Sequence, residues 1–414
     1  MKYQSLAIYS CMLFAQTAWA DPLSNEFSAL REQVQQLTHV VQQLNATVET
    51  QQQRIAQLEQ ANPPSRQAAG VSPVAVPRQT LGGANLSAFN PEIGVVADML
   101  GQLSESSADG DGNDKLSVRE IELIFGHPID PYSRFDSTIT FSDFENPDIE
   151  EAYITHWGLP GEIKAKLGRM RPKIGKASSI HGDQLDTVDE PLVVSEYLGK
   201  EGLFRTGLEL SGFLPTPWTA VTHELTVGTM EGGVGEGGQL FGETRRRPSF
   251  YTHLKNFWDI SDTSNLELGT TYLVGSKDDD ARFEVNAVGL DGTLIHYITP
   301  TNKLKFQNEV YLQDRKESDF NKNPWGFYSL LDYRISPRVG MGGRFDYVEP
   351  VDLNPMTRAR DADTAWSGYL TFYQSEFSRW RLQFRHTDFA QGGDDNSIFL
   401  QGTVAIGVHK HQLQ

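Results

Sequence analysis

From Phe89 onward the chain repeats one pattern: segments of about 8 to 12 residues in which every second position is apolar and its neighbours are charged or small. Ile163-Lys164-Ala165-Lys166-Leu167 and Thr206-Gly207-Leu208-Glu209-Leu210 show it plainly. A third segment sets Phe135, Ser137, Ile139 and Phe141 against Asp136, Thr138 and Thr140. A period of two is the strand period, and it gives each strand one face for lipid and one for water. Segments of this kind are predicted at 93–103, 116–125, 134–142, 151–159, 163–170, 204–214, 220–230, 251–260, 266–275, 282–298, 303–313, 326–335, 339–348, 365–374, 380–388 and 397–408. That is about sixteen strands, and the expected fold is mainly β, a transmembrane antiparallel up-and-down barrel over 89–414.

The links between segments alternate in length. Short ones contain turn residues, as in Asp130-Pro131, Leu159-Pro160-Gly161, Pro215-Thr216-Pro217, Thr299-Pro300-Thr301 and Ser336-Pro337. Long polar ones occupy 104–115, 176–202, 231–248, 276–281, 315–325, 349–364 and 390–396. An even strand number puts both chain ends on the side of the short turns, as in barrels with short periplasmic turns and long outer loops. Trp157, Trp218, Trp258, Tyr347, Trp366 and Trp380 fall toward strand ends, where interfacial aromatic girdles sit.

Before the barrel the period changes. Leu23, Phe27, Leu30, Val34, Leu37, Val41, Leu44, Val48, Ile55 and Leu58 are spaced as a coiled-coil seam of about five heptads, predicting an N-terminal α-helical arm over 21–60. A Pro/Ala/Ser/Gly-rich linker follows over 61–88. Lys2, the apolar run 6–14 and Ala18-Trp19-Ala20 read as a secretory signal over 1–20, with the mature chain starting near Asp21. The one cysteine, Cys11, lies inside that signal, so disulfides and cysteinyl metal sites are not expected. On this reading the barrel sits in the outer membrane of a Gram-negative bacterium, with the arm in the periplasm.

Composition narrows the function. A formal charge of −18 argues against nucleic acid and suits acidic, water-facing loops. No Gly-x-Ser-x-Gly elbow, His-Glu-x-x-His or phosphate loop occurs, so neither an enzyme nor a cofactor is expected. With the apolar face outward, the inner face receives the basic residues Lys164, Lys166, Arg205, Lys303, Lys305, Arg379, Arg381 and Arg385, together with acidic ones such as Glu209, Glu309, Asp332 and Asp346. Arg379, Arg381 and Arg385 form a basic ladder on one strand. The third long link is acidic, with Asp183, Asp186, Asp189 and Glu190. Facing such a wall, it would set a transverse field across a wet constriction that sorts solutes by charge. The run at 109–120 matches a calcium loop at Asp109, Asp111, Asn113, Ser117 and Glu120, but Asp114 replaces the glycine of the sharp turn; an acidic hairpin loop is the better reading, and no metal is expected.

Several short runs carry a family resemblance. Lys166-Leu167-Gly168-Arg169, Gly175, His181, Val188-Asp189-Glu190-Pro191-Leu192, Gly202, the 208–215 strand and turn, Phe89-Asn90-Pro91 and Arg119-Glu120-Ile121-Glu122-Leu123 resemble the phosphate-selective porin family and its outer-membrane relatives. The resemblance implies a sixteen-stranded barrel, usually a homotrimer, whose third outer loop folds into the lumen. It also implies contact with lipid and lipopolysaccharide. Two departures stand out: Asp183 occupies the place of a second histidine after His181, and the loop is acidic where phosphate selectivity relies on clustered lysines and arginines. The expected function is therefore passive diffusion of small hydrophilic solutes or ions. The alternative is a barrel-anchored adhesin or structural envelope protein, and the arm could reach peptidoglycan.

Overall fold

The computed structural model describes residues 91–105, 115–143, 146–200, 202–217, 220–231, 247–276, 284–317, 320–352, 356 and 358–407. The signal over 1–20, the arm over 21–60 and the linker over 61–88 lie outside the described residues, as do Asp109, Asp111 and Asn113 of the calcium-loop candidate.

The strands run in chain order as β1 (Glu92–Ser104), β2 (Lys115–Asp130), β3 (Ser133–Phe141), β4 (Asp148–His156), β5 (Lys164–Met170), β6 (Arg205–Phe213), β7 (Val221–Met230), β8 (Ser249–Ser261) and β9 (Ser264–Ser276). They continue as β10 (Glu284–Tyr297), β11 (Lys303–Glu317), β12 (Phe320–Lys322), β13 (Trp325–Ser336), β14 (Val339–Val348), β15 (Asp363–Ser375), β16 (Ser378–Asp388) and β17 (Asp394–Gly407). Neighbours pair antiparallel, and β1 closes the ring against β17, from Gly94 opposite Gly407 to Ser104 opposite Ser397. The three-residue β12 pairs only with the outer end of β11, and β13 takes over along the rest of that strand. The wall is thus a closed barrel of 16 strands, as the alternation predicts.

Accessibility follows the period of two. Along β15, Trp366, Gly368, Leu370 and Phe372 face outward while Ala365, Ser367, Tyr369, Thr371 and Tyr373 face inward and are buried. The outer surface carries large apolar side chains all round, Leu167, Leu208, Leu290, Leu331, Leu382 and Ile398 among them, which is the face a bilayer covers. Aromatics gather outside the upper ends of β13 to β15, where the Trp325–Tyr347 and Phe345–Trp366 ring centroids lie 4.7 and 4.3 Å apart. Trp258 and Trp380 lie on the outer face toward the short-turn ends of β8 and β16.

Two local departures from strict alternation matter for the interior. Opposite Asp98 and Met99 the register of β2 skips Arg119, and opposite Thr138 and Ile139 the register of β4 skips Glu150. Each is a β-bulge, which puts two consecutive residues on one face. Arg119 with Glu120, and Glu150 with Glu151, all turn inward, and without the bulge Glu150 would meet lipid. Ser117 and Glu120, the remaining calcium-loop candidates, are paired residues of β2.

The core is inside the barrel. Ile174, Ala177, Leu185, Val193, Val194, Tyr197, Leu198 and Leu203, all from the β5–β6 link, cluster with the inward residues Met230, Tyr251, Leu273, Val285, Ala287, Tyr311, Tyr328, Leu330 and Val348. The wall facing that link therefore carries an apolar patch on its inner side, among the polar inner residues expected from the sequence. Fully burying one such aliphatic side chain contributes about 1.5–3 kcal/mol.

Candidate functional site

The link from Arg171 to Phe204 carries the loop candidates, and its anchors begin at once. Backbone N–H groups of Lys176 and Ala177 donate to the two oxygens of Glu309 at 3.2 and 3.1 Å, and the hydroxyls of Tyr311 and Tyr328 donate to the same carboxylate at 2.7 and 3.1 Å. Such close approach requires Gly175, whose φ is +57° and where a Cβ would collide with Glu309 and Tyr311. Lys173 donates to Glu224 at 2.5 Å and Lys176 to Glu267 at 2.8 Å, extending the anchorage to β7 and β9.

A second anchor lies on the strands that follow round the wall. The short helix α1 (Leu192–Tyr197) buries Val193, Val194 and Tyr197 against β13 and β14. Just before it, Arg344 of β14, fully buried, donates to the Asp189 carboxylate and carbonyl at 2.8 and 2.7 Å and to Asp346 at 2.7 Å. Arg385 reaches the same Asp189 oxygen at 2.8 Å, and Gln383 donates to the other oxygen while accepting from the Val188 N–H at 2.7 Å. Burial opposes charge on Asp189, but Arg344 and Arg385 beside it hold its carboxyl well below the usual range. Burial likewise works against Asp186, where Lys305 prevails and keeps the pKa low. Glu190 goes the other way: burial outweighs the pull of Arg171 and Arg344 and raises its pKa to about 8, and its sealed Oε2 has no hydrogen-bond partner.

The expected inner-wall residues all occupy inward register positions: Lys164 and Lys166 opposite Ser211 and Glu209, Arg205 opposite Met170, and Lys303 and Lys305 opposite Arg334 and Asp332. The first two and the last two lie toward the short turns, only partly buried. The ladder on β16 does not stand across a gap from the acidic link. Arg379 and Arg381 are 3% and 2% exposed and donate to the carbonyls of Asp183 and Thr187. Arg385 alone of the three borders a cavity of about 290 Å³ between the link, β2 and β16, whose lining brings Arg119, Arg171 and Lys200 beside Asp189 and Glu190. A larger cleft of about 440 Å³, lined by Met99, Leu116, Trp380 and Leu400, is on the apolar outer face and so belongs to lipid rather than to a polar solute.

Beside that cavity the link meets a cluster whose members the sequence did not bring together. His181 Nε2 lies 3.3 Å from Glu151, while its Nδ1 lies 3.4 Å from Glu150 and 3.7 Å from Glu122, with Arg171 on the far side bonded to Glu150. Burial disfavours an imidazolium here, but the Glu150 carboxylate outweighs it and holds the His181 pKa well above the ordinary value. Glu122 was findable as an inward position of β2; Glu150 was not, because the bulge reverses its facing.

No family model matches the chain. A protein of Aquifex aeolicus (strain VF5), itself described as uncharacterized, is 28% identical over 335 residues, covering 72% of this chain and 71% of that one. Among solved structures, the outer membrane channel DcaP of Acinetobacter baumannii is similar with a TM-score of 0.50 at 11% identity, over 77% of this chain and 96% of that chain. OprB of Pseudomonas putida gives 0.49 at 11% identity, over 78% and 96%. The likeness to DcaP is one of fold.

Proposed function

We propose that the protein is a porin of the Gram-negative outer membrane, a water-filled channel for passive diffusion of small hydrophilic solutes or ions, narrowed by the acidic β5–β6 link folded into its lumen. The observation that carries this reading is a closed barrel, apolar outside, whose inner face presents charges of both signs around a link bonded to β7, β9, β11, β14 and β16. The fold shared with a channel supports it. No chemical step is needed: solutes are sorted by size, charge and hydration as they pass the partly exposed lysines near the short turns and the Arg385 cavity. The protein works as a homotrimer among lipid and lipopolysaccharide, and the arm over 21–60 braces it from the periplasm or reaches peptidoglycan. Kinship with phosphate-selective porins extends, on this reading, to the inward link and not to phosphate, because Asp183, Asp186, Asp189 and Glu190 replace a cationic lining.

One observation favours a second reading. Arg344, Gln383, Gln401 and Thr403 are sealed from solvent, so the lumen is filled around these residues of β14, β16 and β17, as in a barrel that anchors a surface or envelope function without transport. Planar-bilayer recording of the purified protein separates the two. Stepwise conductance with a measurable reversal potential in a salt gradient is expected; a silent bilayer at protein levels that insert control porins would overturn the porin reading in favour of the anchor.

A further inference from the structure

Glu122, Glu150 and His181 come from β2, the β4 bulge and the β5–β6 link, and each offers a ligand atom within 4.8 Å of the other two. All are buried, Glu122 and Glu150 at 3% and 2% exposure. His181 Nε2 lies 3.3 Å from Glu151, while its Nδ1 faces the two other carboxylates. Two carboxylates and an imidazole packed together out of water are stable only with a positive charge among them, which a metal ion or a proton on the imidazole can supply.

Two further features indicate what that cation is. The separations of 3.4 and 3.7 Å from Nδ1 to Glu150 and Glu122 approximate the edge of a tetrahedron built on bonds of about 2.0–2.1 Å, the length of zinc–imidazole and zinc–carboxylate bonds. The contact from the other ring nitrogen to Glu151 is the outer-sphere carboxylate that metal-bound histidines use to fix their tautomer. Independently, Glu150 Oε2 is buried with no hydrogen-bond partner, although Oε1 of the same group receives Arg171. A carboxylate sealed from water with one oxygen idle is a ligand in waiting.

We propose that Glu122, Glu150 and His181 bind a divalent transition-metal ion, with Zn²⁺ the best chemical match, and that the ion fastens the β5–β6 link to the wall at β2 and β4. One imidazole and two carboxylates with a fourth position for water suit zinc rather than calcium, which prefers six or more oxygens. The site adds β2 and β4 to the strands β7, β9, β11, β14 and β16 that hold the link. This inference does not depend on conduction: a barrel that fails to conduct could still hold the metal.

The test uses the full-length protein, folded in detergent, stripped with a chelator and reloaded with Zn²⁺ or Co²⁺. One equivalent of Zn²⁺ per chain should survive gel filtration, with affinity falling at least tenfold in His181→Ala and in Glu122→Gln and unchanged in the remote control Glu284→Gln. Co²⁺ should give the intense visible bands of a tetrahedral N/O site. Heat-modifiable electrophoretic mobility reports whether each variant has folded; should the variants not fold, the wild-type cobalt spectrum decides alone. Absence of retained metal, a weak six-coordinate cobalt spectrum, or binding indifferent to His181 and Glu122 would overturn the proposal and leave a proton on His181 as the cation.

Discussion

At the scale of single residues, the interior is governed by charges that have lost their water and must find one another. Arg344 is the clearest case. It has no exposed side-chain surface and serves Asp346, Asp189 and two link carbonyls, so Arg344→Met would leave Asp346 buried without a cation. Breaking a buried pair from one side costs about 3–5 kcal/mol. Faster hydrogen exchange over residues 187–192, with the wall strands unchanged, is the expected signature. Glu190 predicts a pH dependence of opposite origin. Its folded pKa of about 8 lies above the ordinary 4.5, so its contribution to link docking is complete below pH 4.5 and is lost as pH rises through 8. Each tenfold change in proton affinity is worth about 1.4 kcal/mol. Link amides should therefore exchange faster at pH 8.5 than at pH 5.5, after correction for intrinsic rates, and Glu190→Gln should flatten the difference. Asp189, whose pKa is held low, contributes above the ordinary 3.8 and loses its effect only in more acidic solution, outside that window.

At the scale of elements, strands were legible and the link's destination was not. A strand between lipid and water must alternate, so each of β1 to β17 except the three-residue β12 overlaps a segment written in the hydrophobic pattern. Bulges escape such a reading because the skipped residue is ordinary in kind: nothing in Ile149-Glu150-Glu151-Ala152 announces which glutamate is displaced. The link was legible as acidic, but its acids predict solvent or a wet gap, whereas Asp189 is spent on Arg344 and Arg385 and the apolar Val193, Val194 and Leu198 fill the core. That apolar run was the available signal, since a solvated loop has no use for it. Gly175 tests the first anchor. In Gly175→Ala the left-handed φ of +57° alone costs about 1–2 kcal/mol, and the new methyl would push the Glu309 carboxylate off the Lys176 and Ala177 amides. A lowered thermal midpoint with retained barrel mobility on gels is expected, and an unchanged midpoint would show that the anchor contributes nothing to stability.

At the scale of the whole molecule, the same basic ladder divides into two roles according to what each guanidinium touches. The sequence treats Arg379, Arg381 and Arg385 alike, because a shared strand face conveys nothing about what docks there. In the folded barrel Arg381 is 2% exposed, bonded to the Thr187 carbonyl, to Gln401 and to Thr371, and so acts as a fastener for the link. Arg385 pairs with Asp189 at the edge of the polar cavity, with 21% of its side chain exposed, so that its field reaches into that cavity. Under the porin reading, Arg385→Ala should shift the reversal potential in a salt gradient toward cations, with only a small rise in open-channel noise because Arg344 still holds Asp189. Arg381→Ala should do the reverse, adding gating noise from a loosened link with little change in selectivity. Screening supplies the control: with a Debye length of about 10 Å at 0.1 M salt and about 3 Å at 1 M, the Arg385 effect should shrink steeply as salt rises, whereas the mechanical effect of Arg381 should persist. If both variants shifted selectivity equally and with the same salt dependence, Arg381 would have to face water, and the lumen that the link fills beside it would have to be open.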